Sequence, residues 1–130
     1  MEDKAIQLLQ FVICRDFLLE GDDAYTGKSI YSNLTVPDFP YQFSDTYAVT
    51  CWRKDKRFHK EVIEYTTEDG SVFRTPPMDI EPITNSVLFR WHKHLFPPEL
   101  SIKASGLLTL RVILDWKVFF ETYVMIEKAV

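Results

Sequence analysis

Two apolar runs decide the fold: LLTLRVIL at residues 107–114 and VFFETYVMI at residues 118–126, separated by Asp115-Trp116-Lys117. Each run has the length of one strand and is rich in β-branched and aromatic residues, which pack well on a pleated sheet. The pair therefore predicts a β-hairpin with its turn at residues 115–117.

An amphipathic helix is the alternative for this region, because several polar residues between positions 111 and 128 fall on about half of a helical wheel. Ten of the seventeen residues from 112 to 128 are β-branched or aromatic, and such residues lose rotamer freedom in a helix. The composition therefore favours the hairpin.

The rest of the chain repeats the same pattern of short apolar segments and turn signals. Roughly eight short strands at a spacing of about 8–12 residues predict an all-β fold, a single antiparallel β-sandwich that occupies residues 1–130 as one domain. Residues 5–14 are apolar on both sides, which favours a strand inside a sheet, although a helix also fits. Further strands are predicted at residues 29–36, 46–52, 58–66, 72–74 and 86–92, with loops at 21–28 and 75–84.

Composition limits the class of protein. The chain has 130 residues, 46% of them apolar and 15% aromatic, which favours a folded core over disorder. Its net charge is -4, which gives no general attraction to nucleic acid. We expect a cytoplasmic protein, because no secretory signal or run of about 20 apolar residues is present, and we expect Cys14 and Cys51 to be buried thiols.

Three stretches carry a family resemblance: Thr26-Gly27-Lys28-Ser29-Ile30-Tyr31, Pro37-Asp38-Phe39-Pro40, and residues 105–117. They resemble the Gly-Lys strand entry, the Pro-x-Phe-Pro corner and the final hairpin of a family of small uncharacterised bacterial domains. This chain has Ser105, Leu108 and Trp116 where that family has Pro, Tyr and the turn Gly. The resemblance implies one β-sandwich and brings no activity.

A metal site is the sharpest chemical hypothesis. His92 and His94 are two residues apart on a predicted strand, so both imidazoles point the same way, and Glu99 follows. The spacing His-x-His-x4-Glu-x6-Gly, ending at Gly106, resembles the first metal-binding motif of cupin barrels and would suit iron, manganese or zinc. Ser86 replaces the leading glycine of that motif, and no histidine follows His94. The alternative is two exposed histidines at the end of a strand, with no cofactor.

A basic turn, formed by Arg53, Lys54, Lys56 and Arg57 and continued by Lys60, lies beside aromatic residues. Clustered cations next to aromatic rings can bind phosphates and stack on bases, so the turn is a candidate site for a polyanion or an acidic protein. A solvated turn is the simpler interpretation.

Two further features concern partners. Glu20, Asp22 and Asp23 are closely spaced acids in a predicted loop, too few for a complete calcium site and typical of an ordinary turn. Trp116 lies at the predicted hairpin tip between two charged residues, where we expect it to be exposed to a partner.

No catalytic nucleophile motif or glycine-rich phosphate loop is present in the sequence. The sequence therefore favours a non-enzymatic protein-interaction module. A small cupin-like metal-dependent enzyme is the first alternative, and a polyanion or nucleic-acid binder acting through residues 53–60 is the second. Exposed sheet edges would also permit a homo-oligomer.

Overall fold

The computed structural model describes the backbone of residues 4–19, 25–84 and 87–130, and the side chains of these residues except 16–19 and 25–30. Within these ranges the chain forms twelve strands, and no helix is long and apolar enough to cross a membrane. The strands are β1 (Gln7–Leu19), β2 (Tyr25–Tyr31), β3 (Leu34–Val36), β4 (Tyr41–Gln42), β5 (Tyr47–Arg53), β6 (His59–Thr66), β7 (Val72–Arg74), β8 (Met78–Ile80), β9 (Phe89–Leu95), β10 (Ser101–Ile102), β11 (Gly106–Leu114) and β12 (Lys117–Lys128).

The strands form three sheets. Sheet A has the order β2-β1-β5-β9, and sheet B has the order β3-β12-β11-β6-β7, with β8 also paired to β6. β10 and β4 make a separate two-stranded sheet. Neighbouring strands are antiparallel except β12 and β3, which are parallel.

The closing hairpin is confirmed, and the helical alternative for it is wrong. β11 and β12 pair along their length, and only Asp115 and Trp116 lie between them. These two residues have φ values of 52° and 67°, the left-handed conformation that a tight two-residue hairpin turn requires. A register shift between Val112 and Ile113 marks a bulge opposite residues 118–120.

The core lies where side chains of sheet A meet side chains of sheet B. Trp52 of β5 packs against Phe119 of β12, with ring centroids 5.2 Å apart. At the other end Tyr65 of β6 packs against Phe96, which follows β9, at 4.8 Å. Apart from Phe119, these residues are fully buried and belong to one hydrophobic core cluster.

The all-β prediction is confirmed, but the predicted count of eight short, wholly antiparallel strands is wrong. β1 has 13 residues because it continues past its predicted end through the apolar Phe17-Leu18-Leu19. β12 has 12 residues because it also includes the charged residues Lys117, Glu127 and Lys128 that flank the predicted run. β2 occupies residues 25–28 of the predicted loop at 21–28, and β8 occupies part of the predicted loop at 75–84. The acidic residues Glu20, Asp22 and Asp23 lie outside the described residues.

The two cysteines are buried thiols, as predicted. Burial raises the pKa of the Cys51 thiol to about 11, so this side chain stays protonated at neutral pH. The family resemblance and the single-domain prediction stay predictions.

The start of β6 is fixed to the hairpin turn through His59. Its Nδ1 lies 2.6 Å from Asp115 Oδ2, and its Nε2 lies 2.8 Å from Asp55 Oδ1. Asp115 Oδ1 also accepts a hydrogen bond from the Lys60 backbone N–H. Burial alone would lower the pKa of His59, but the hydrogen bonds to Asp115 and Asp55 and their charges raise it overall.

The raised pKa of His59 predicts a pH-dependent contribution to stability. A group whose folded pKa exceeds its unfolded value stabilises fully below the unfolded pKa, about 6.5 for histidine, and loses this contribution as pH rises through the folded pKa. We therefore expect wild type to be more stable than His59→Gln at low pH, and this difference in unfolding free energy to shrink as the pH rises from the unfolded pKa of histidine through the raised pKa of His59. Urea denaturation across pH 5–9 measures it, and a difference that grows with pH would contradict the assignment.

Candidate metal centre

A polar cluster lies inside the otherwise apolar space between sheets A and B. Glu61 projects from β6, and His92 and His94 project from β9. Alternation along each strand sends every second side chain to the same face, so the two histidines share one face. All three residues are buried: 0% of Glu61, 3% of His92 and 1% of His94 is exposed.

One carboxylate oxygen joins the two imidazoles. Glu61 Oε1 lies 2.5 Å from His92 Nδ1 and 2.9 Å from His94 Nε2. The other oxygen, Oε2, accepts a hydrogen bond of 2.8 Å from the indole Nε1–H of Trp52 on β5. Both oxygens of this buried carboxylate are therefore engaged, and Trp52 fixes its orientation.

The cluster keeps Glu61 ionised. Burial alone would raise the pKa of Glu61, but the hydrogen bonds from His92 and His94 outweigh burial and lower the pKa to about 2. An ionised carboxylate can only accept hydrogen bonds, so His92 Nδ1 and His94 Nε2 both carry protons in the metal-free protein.

The second nitrogen of each ring is buried without a partner. His92 Nε2 and His94 Nδ1 form no hydrogen bond within the part of the chain that the structure describes. The Thr50 hydroxyl, opposite His92 in the β5–β9 register, is also unpaired there. Buried polar atoms without partners are rare in folded proteins, so a bound group or an ordered water molecule would satisfy these nitrogens.

Two open clefts are each lined by one histidine of this cluster. A cleft of about 530 Å³ is lined in part by His92, and a cleft of about 630 Å³ is lined in part by His94. Met78 of β8, which is opposite Glu61 in the β6–β8 register, lines both clefts. Volumes of several hundred cubic ångströms are typical of small-molecule sites.

The three side chains form a plausible metal ligand set. One ligand atom from each of Glu61, His92 and His94 can be chosen so that all lie within 4.8 Å of one another. In a tetrahedral site with metal–ligand bonds near 2 Å, ligand atoms are about 3.3 Å apart, so small movements would admit an ion. Two imidazoles and one carboxylate are ligands of catalytic zinc and of non-haem iron sites.

The structure only partly agrees with the predicted ligand set. It brings His92 and His94 together, but it supplies Glu61 as the carboxylate, whereas Glu99 is exposed on the rim of the cleft that His94 lines. The alternative of two exposed histidines is wrong because both are buried. The burial of Glu61 could have been predicted from the sequence, since Glu61 alternates with Ile63 and Tyr65 on the apolar face of β6.

The basic turn does not form one exposed cationic cluster. Lys54 is buried, and Arg53 donates hydrogen bonds to Gln7 Oε1, while Lys56 and Arg57 are exposed. The structure thus gives this turn a mixture of structural and solvated cations.

Trp116 is exposed as predicted, with 64% of its surface accessible at the hairpin tip.

Comparison with protein-family models finds no match to this chain, and comparison with curated proteins finds none either.

Proposed function

We propose that this protein binds one divalent transition-metal ion through Glu61, His92 and His94, and that this ion is its functional centre. The single observation that carries the proposal is the convergence of two buried imidazoles on one buried carboxylate oxygen. A three-residue ligand set leaves coordination positions for water or substrate, as in metal-dependent enzymes, and the two clefts give access to it.

The chain's own residues would prepare the site in defined ways. Trp52 holds Glu61 through its indole N–H and so orients the carboxylate, a supporting role that usually raises metal affinity. Surrounding apolar side chains exclude bulk water and strengthen every charge interaction at the site. A bound ion would supply a Lewis acid that polarises a substrate oxygen or acidifies a water molecule.

Metal analysis tests this proposal directly. Protein purified without chelators or a metal-affinity tag is expected to hold about one ion per chain, and protein stripped with EDTA should take up about one equivalent of zinc. Elemental analysis and isothermal titration measure these quantities. A stripped protein that shows no saturable uptake of Zn²⁺, Fe²⁺ or Mn²⁺ would refute the metal-dependent function.

We also propose that the chain is one β-sandwich domain, in which sheets A and B are the two layers. Contacts of Trp52 with Phe119 and with Glu61 join the sheets near the cluster. This arrangement would explain why the metal ligands come from both layers.

We infer a second candidate function, protein binding through Trp116, from the backbone at the hairpin tip. Trp116 has φ 67°, a conformation that glycine or asparagine adopts at little cost and a bulky side chain does not. An exposed tryptophan kept in a strained turn suggests that its ring serves a partner rather than the fold.

Trp116→Gly is therefore expected to stabilise the protein by about 0.5–1 kcal/mol, because glycine relieves the strain at this position. Urea denaturation measures the change in the free energy of unfolding. Trp116→Ala is the matched control, since it removes the ring but keeps a Cβ in the same conformation. A Trp116→Gly protein that is less stable than wild type would show that the indole contributes to the fold.

A further inference from the structure

Lys54 is a largely buried lysine whose side chain has no counter-charge among the described residues. It directly follows β5, where its backbone N–H donates to Leu88 O at 2.8 Å, and only 4% of its surface is exposed. No salt bridge or side-chain hydrogen bond of Lys54 occurs among the residues whose side chains the structure describes. The Lys54 ammonium nitrogen is not among the fully buried polar atoms that lack a partner, so the end of this side chain is accessible from the cleft that it lines and can bind an anion there.

Lys54 and His92 line the same cleft. The cleft of about 530 Å³ is also lined by Arg90, and its acidic residues are Asp79 and Glu81. Asp79 already pairs with Lys60 Nζ at 3.3 Å. The two cations Lys54 and Arg90 therefore face one remaining carboxylate, Glu81, and the local balance of charge is positive.

The second cleft differs in this respect. Its cations are Arg74, which pairs with Glu64 at 2.8 Å, and Lys93, which lies 4.6 Å from the centre of the Tyr47 ring. Both are already engaged, and both are more exposed than Lys54. Of the two clefts, the one that contains Lys54 is thus the one that offers a lysine without an ionic or aromatic partner among the described residues.

Metal binding would turn the second ring nitrogen of His92, Nε2, into a hydrogen-bond donor in the cleft that Lys54 also lines. If Nδ1 is the ligand atom, its lone pair is on the metal, so the ring proton must be on Nε2. His92 Nε2 is buried and has no partner among the described residues. This step rests on the proposed metal function, and it makes His92 Nε2–H a second donor for an acceptor bound in the cleft.

We propose that this cleft binds the oxyanion group, carboxylate or phosphate, of a small-molecule substrate through Lys54 and His92. Lys54 supplies the charge, and the metal-bound imidazole supplies a directional hydrogen bond. The bound anion neutralises Lys54 and places the remainder of the substrate beside the metal cluster. The substrate class is therefore a small organic acid or phosphate ester.

Sulfate is a suitable probe because it is an oxyanion and a weak ligand for zinc. Zinc-loaded protein is titrated with sulfate at constant ionic strength while the amide and side-chain NMR signals of Lys54 and His92 are followed. Saturable shifts are expected in wild type, and Lys54→Met should weaken binding by about tenfold or more, because a hydrogen bond to a charged group is lost. Methionine keeps the apolar stem of lysine, so the fold should tolerate it.

Lys93→Met is the matched control, since Lys93 is an exposed lysine on the neighbouring β9. The affinity of the Lys93→Met protein for sulfate should stay within about twofold of that of wild type. Lys54→Gln serves as the second variant if Lys54→Met does not fold. Equal sulfate affinity in wild type and in the Lys54 variants would overturn the proposal, as would equal affinity with and without zinc. The zinc content of each sample reports separately on the proposed function, which fails if wild type holds no zinc.

Discussion

Glu61→Ala is expected to lower the free energy of unfolding by about 3–5 kcal/mol, even in metal-free protein, because three buried donors lose their acceptor. The donors are Trp52 Nε1, His92 Nδ1 and His94 Nε2, at 2.8, 2.5 and 2.9 Å from the Glu61 oxygens. The substitution also leaves a cavity between the two sheets. Urea denaturation in the presence of EDTA measures the loss without a contribution from metal.

Two variants make this stability prediction specific. Glu99→Ala removes an exposed carboxylate from the cleft rim and should change the free energy of unfolding by less than about 0.5 kcal/mol. Glu61→Gln keeps an acceptor oxygen but not the charge, so it should be intermediate between wild type and Glu61→Ala. A Glu61→Ala protein within about 1 kcal/mol of wild type would show that the cluster is not a stabilising network.

His92→Ala and His94→Ala are each expected to weaken zinc binding by more than about 100-fold, because even the loss of a supporting contact to a ligand costs 10–100-fold. The chain has three histidines, so the third provides a matched control. His59→Gln removes an imidazole that contacts Asp55 and Asp115 instead of Glu61, and its zinc affinity should stay near that of wild type.

Isothermal titration of EDTA-stripped protein measures these affinities, and circular dichroism confirms that each variant is folded. Glu99→Ala belongs in the same series, since Glu99 was the carboxylate that the sequence spacing suggested. Retention of wild-type zinc affinity by His92→Ala and His94→Ala would place the ion elsewhere. Loss of affinity in Glu99→Ala would return that residue to the ligand set.

The hairpin was predictable because its signals are local. Residues 107–114 and 118–126 each carry enough β-branched and aromatic residues to favour a strand, and the polar residues between them mark a turn. The strained φ of Trp116 was not predictable, because tryptophan gives no sign of a left-handed turn. The parallel pairing of β3 with β12 was also missed, since it joins segments about 90 residues apart.

The ligand set shows where sequence spacing fails. His92 and His94 are neighbours on one strand, so alternation alone predicts that they share a face. Their carboxylate partner comes from another sheet, 31 residues before His92, and no local spacing encodes that contact. The signal that was present is chemical: β6 places Glu61 on the same face as Ile63 and Tyr65, and a charge on an apolar face needs a buried partner.

Anomalous X-ray diffraction from zinc-loaded crystals tests the central claim most directly. We expect one strong peak at the zinc edge between sheets A and B, about 2.0–2.2 Å from a nitrogen of His92, a nitrogen of His94 and an oxygen of Glu61. His94→Ala crystals, treated in the same way, should lack this peak. Zinc found only on the surface of the wild-type protein, with Glu61 still hydrogen-bonded to both histidines, would contradict the proposed function.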